Sequence, residues 1–121
     1  MDLLKDLKEK YTAHPAVQEL FLQIGKQASK THLQSTAGSA SSFIASATFE
    51  HEPAPMLFIL PDREEAAYFL NDMENLNPGK KVFFFPSSYR KPFKLNAHEN
   101  ASIQMRTEVL SHINKHSQSF I

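Results

Sequence analysis

The sequence predicts an α/β fold, a parallel sheet with helices on both faces. Two observations carry that expectation. Strand-like runs at residues 31–35, 56–60 and 82–85 alternate with segments of helical periodicity, and such alternation calls for right-handed crossovers between parallel strands. The second and third runs, MLFIL and VFFF, are continuously apolar, as strands covered on both faces are. A chain of 121 residues, 41% hydrophobic and 21% charged, suffices for one domain with its own core.

Two helices lead in. Leu3, Leu4, Leu7 and Tyr11 form one apolar stripe, and Val17, Leu20, Phe21 and Ile24 form a second. Pro15 suits the first turn of the second helix, where its missing N–H costs nothing, and Gly25 is a natural stop. The polar residues 26–30 connect to the first strand. Gly38 then precedes a small-residue helix through Phe43, Ile44 and Ala47.

The run at 56–60 ends at Pro61-Asp62. Asp62 is placed to cap the next helix, with Glu65 three residues on and Ala66, Phe69, Leu70 and Met73 as its stripe. Pro78-Gly79 closes that helix, and Pro86 ends the run at 82–85. After an irregular stretch, a last helix begins near Asn96, with Glu99 at the capping-box position and Ile103, Arg106, Leu110 and Ile113 as its face. Ser119-Phe120-Ile121 reads as the opening of a further strand. The expectation is therefore an N-terminal piece of something larger, truncated at its C-terminus. It divides into a helical lead-in over 1–29 and a partial α/β domain over 30–121.

Charge and composition narrow the function classes. Thirteen basic and 13 acidic residues cancel, so the chain has no overall excess for gripping a phosphate backbone. Locally the balance shifts: residues 50–74 hold seven acidic side chains and one Arg, whereas 75–98 hold five basic and no acidic ones. The absence of cysteine excludes disulfides, thiolate catalysis and cysteine-based zinc sites. No apolar stretch reaches the roughly 18–20 residues of a membrane helix. The mixed-charge start MDLLKDLKEK is unlike a signal peptide. A cytoplasmic protein without membrane partners is expected.

A strand, a glycine-bearing turn and a helix is the arrangement in which α/β proteins bind phosphates. A working P-loop reads G-x-x-x-x-G-K-[ST]. In that register this chain has Ser35 for the first Gly, Ala40 for the second and Ser41 for the Lys, and only the hydroxyl survives, as Ser42. Gly38 and Ser39 lie between. No Lys, Arg, Asp or Glu occurs from 31 to 49, so no compensating cation is at hand. The residues themselves read most simply as a small-residue turn that lets a helix pack closely. A weakened anion site is the sharper alternative.

The order of these motifs resembles the N-terminal region of bacterial transcription-repair coupling factors, the Mfd family. That region is similar to the first domain of the excision-repair helicase UvrB. The matching features are the degenerate loop Gly38-Ser39-Ala40, the apolar run ending in Pro61-Asp62, Phe85-Pro86 followed by Pro92-Phe93, and Arg106 on the closing helix. They span about residues 30–113. Many relatives carry a Trp-Glu pair where this chain has Ser88-Tyr89, so no contact through that tryptophan carries over.

The resemblance implies a UvrB-like α/β domain, similar to helicase domain 1a, that has kept its architecture and lost nucleotide chemistry. Its parent would be an ATP- and Mg-dependent DNA translocase that releases RNA polymerase stalled at lesions and recruits excision repair through UvrA. ATPase motors, polymerase-binding module and most contacts to UvrA and double-stranded DNA would lie outside this segment. Within it, no catalytic residue, cofactor or metal is expected, and its partners would be other domains of the same chain. Two other readings stay open: a nucleotide-binding half of a UvrB-like helicase ATPase domain, and an unrelated flavodoxin-like binding domain. The first would want Gly and Lys where Ala40 and Ser41 stand; the second predicts a ligand above the strand ends.

Further candidates each have a plain structural counterpart. Tyr89, Arg90, Lys91, Phe93 and Lys94 interleave aromatics with cations, as single-strand nucleic-acid grooves do. They form a candidate interface loop, or a solvated loop whose Phe93 packs on the domain. His112 and His116 sit at metal-ligand spacing, but His98 lies about 21 Å away along the same helix at 1.5 Å per residue, so a solvated helix end is the simpler reading. Glu64 and Glu65 are adjacent residues in a first helical turn, where carboxylates favour the dipole rather than converge on a substrate. The Phe83-Phe84-Phe85 run is expected as a buried central strand.

Overall fold

The computed structural model describes residues 2–87 and 97–115. Helices α1 (Leu3–Ala13) and α2 (Pro15–Ile24) form an opening pair. They are followed by α3 (Ala40–His51), α4 (Arg63–Leu76) and α5 (Ala97–Lys115). None of these is long and apolar enough to cross a membrane.

Several local helix signals act as the sequence implies, but the expected stripe of α1 is not buried: Leu3 and Leu4 are exposed and no residue of that helix is buried. Pro15 occupies the first turn of α2, and the His14 ring nitrogen Nδ1 accepts the Ala16 N–H at 3.1 Å. Val17, Leu20 and Phe21 are the buried stripe of that helix. Asp62 caps α4, its carboxylate accepting the Glu65 N–H at 2.8 Å. Gly79 closes the turn after α4 with φ of 82°, a conformation that disfavours any Cβ. Gly25 ends α2 in a right-handed conformation, φ −72°, without the left-handed turn expected of a glycine stop.

The expected parallel sheet does not form: the described residues contain no strand. Residues 31–35 are exposed throughout, and Ser35 turns left-handed with φ of 61°. The runs at 56–60 and 82–85 are extended but joined by no ladder. Met56, Phe58 and Val82 lie against the buried cluster Ala45, Phe49 and Met73. Leu57 and Ile59 point the other way and stay 82% and 87% exposed. The alternation is that of an extended segment with one covered face, whereas a central strand in a doubly covered sheet would have two.

The reason lies in where the helices bury their faces. Helices α3 and α4 pack directly on one another through Ala45, Phe49 and Met73, and the runs at 56–60 and 82–85 lie on that cluster through Met56, Phe58 and Val82 without pairing as strands. A second cluster, Val17, Phe21 and Ala47 with Ile44, joins α2 to the opposite side of α3. Helix α1 stacks Tyr11 on Phe43 with ring centroids 5.0 Å apart. Lys8 then ties three helices together: its Nζ donates to Glu50 Oε1 at 2.6 Å and to the Leu76 carbonyl at 2.8 Å. A cation on the last carbonyl of α4 satisfies an orphan acceptor and complements the helix dipole.

Helix α5 also departs from its expected face. Val109 is buried and Arg106 half-buried, whereas Ile103, Leu110 and Ile113 are more than half exposed. Its ties run to the extended segment before it: Phe83 contacts the His112 ring at 4.7 Å, and the Arg106 guanidinium lies 5.2 Å from the Phe85 ring centre. Phe85 itself is 47% exposed and Phe83 and Phe84 are half-buried, so the run is not the buried central strand expected of it. The start near Asn96 and the side chain of Glu99 lie outside the described residues.

Candidate functional site

The turn before α3 is the natural place to look for anion chemistry. Gly38 adopts φ of 55°, and an added Cβ would meet nothing within 4 Å. The glycine serves the left-handed backbone of this turn. Ser39 is the N-cap of α3, yet its side chain makes no capping hydrogen bond. Ser35, Gly38, Ser39 and Ser41 are exposed and Ala40 is half-buried.

Ser42 is different. It is 2% exposed, and its hydroxyl donates to Asp72 Oδ2 of α4 at 2.9 Å. The hydroxyl at the P-loop Ser/Thr position thus donates to a carboxylate of α4. That carboxylate stands at the first turn of α3, where the helix dipole favours negative charge. The lysine that would reach a terminal phosphate is missing from this turn, where Ser41 stands in its place. One turn further along, the buried Ser46 hydroxyl donates to Asn77 Oδ1 at 2.9 Å. Asn77 Nδ2 in turn donates to the Met73 carbonyl, also at 2.9 Å. The two serines share one face of α3 and form a polar seam against α4.

Two open cavities flank the extended run at 56–60. The smaller, about 360 Å³, lies beside the turn, with Leu20, Leu33, Ile44 and Phe58 among its apolar walls and Thr36 and Ser41 at its edge. Among the described residues no charged side chain lines it. The larger, about 670 Å³, runs between 55–63, the inner face of α4, residues 82–87, and Val109 and Ile113 of α5. Among the described residues, Asp62 and Arg63 are the charged ones on its wall.

The remaining candidates fall partly outside the described residues. Tyr89, Arg90, Lys91, Phe93 and Lys94 lie outside the described residues, as does His116. His112 is half-buried against Phe83 rather than solvated. Among the described residues no three potential metal ligands cluster. Glu64 and Glu65 are exposed in the first turn of α4. Sequence reasoning missed Lys8, Asp72 and Asn77. Asp72 and Asn77 carried no motif, and Lys8 finds its partners 42 and 68 residues away.

Comparison of the chain with family models, with curated proteins and with solved structures finds no match.

Proposed function

We propose that this chain is a non-catalytic scaffold and interaction segment of a cytoplasmic transcription-repair coupling factor. The parent would be an ATP-driven DNA translocase that releases stalled RNA polymerase and recruits excision repair through UvrA. The choice of parent rests on the order of motifs along the chain, from Gly38-Ser39-Ala40 through Pro61-Asp62 and Phe85-Pro86 to Arg106. It does not rest on a sheet. The observation that supports a non-catalytic role is the loop itself, in which Ala40 and Ser41 stand where a P-loop has its second Gly and its Lys. The apolar cavities on both sides of 56–60 suit contacts with other domains of the same chain better than a reaction. The alternative, a nucleotide-binding half of a helicase ATPase domain, asks for Gly and Lys where Ala40 and Ser41 stand.

The test is genetic. An in-frame deletion of this segment should abolish the faster repair of transcribed strands after ultraviolet damage while leaving repair of the opposite strand intact. Unchanged strand bias, with the shortened protein present at normal levels, would remove the chain from this pathway.

A further inference from the structure

We draw no further inference here: the strongest candidate, the open apolar groove between the extended run at 56–60 and α5, along which Leu57 and Ile59 are almost wholly exposed, carries nothing because no observation in the structure shows what covers it.

Discussion

Ser46 and Asn77 are joined by a 2.9 Å hydrogen bond inside the α3–α4 contact, where they are 0% and 5% exposed. A serine and an asparagine among Ala45, Phe49 and Met73 are tolerated because every polar atom is matched. Asn77 passes its own amide hydrogen to the Met73 carbonyl, and the described residues contain no buried side-chain N or O without a partner. Such a pair fixes the sliding register of two helices more sharply than apolar packing does.

Replacing Ser46 with Ala should therefore cost about 1–3 kcal/mol, because the Asn77 oxygen is left buried and unpaired. The same change at exposed Ser41 should stay within about 0.5 kcal/mol. Urea unfolding midpoints of the two variants make the comparison. Equal midpoints would mean that water reaches the seam.

Lys8 supports a second prediction. Its side chain is 14% exposed whereas that of Glu50 is 60% exposed, so the ion pair itself is well screened and worth about 0–1 kcal/mol. Glu50→Gln should accordingly be mild. Lys8→Met also strips the donor from the Leu76 carbonyl and should cost about 1–2 kcal/mol more. If both variants lose the same stability, the carbonyl contact contributes nothing.

Met73 is fully buried between α3 and the extended runs. Met73→Ala should lose about 2–5 kcal/mol through lost transfer energy and a residual cavity. Met73→Leu should stay within about 1.5 kcal/mol. Leu57→Ala, at an 82% exposed position, should be near neutral in this chain. Thermal unfolding followed by circular dichroism ranks the three, and a Leu57 variant as damaging as Met73→Ala would show that the outer face of 56–60 is covered.

Asp62→Ala removes the cap from α4 and should lower stability by about 1 kcal/mol, with Asp62→Asn recovering most of it. Failure of Asn to recover would assign the effect to charge rather than to capping.

The helices were legible in the sequence because their signals are local. Pro15 and Asp62 each act within a few residues of their own position, and the Val17, Leu20 and Phe21 spacing defines one face without reference to anything distant. The sheet was misread because a short apolar run fits a covered strand or any extended segment lying on a core. Residues 56–60 take the second form, with Met56 and Phe58 lying on the α3–α4 cluster. In α5, Ile103 and Leu110 have the right period, but Val109 faces inward because the helix docks on residues 82–87 and not on another helix stripe. At the loop, the contact between Ser42 and Asp72 was not legible, because 30 residues separate the two and only packing brings them together.

The central claim, that the loop before α3 has no nucleotide chemistry, is tested most directly by calorimetric titration of the folded chain with Mg-ATP and Mg-ADP to millimolar concentration. With helical content verified by circular dichroism, no saturable heat is expected from the wild-type chain or from Asp72→Asn, which keeps an acceptor for Ser42 while removing the charge. Saturable binding by the wild type, weakened when Ser41 or Ser42 is replaced by a bulky residue, would contradict the account and favour a working helicase half-domain.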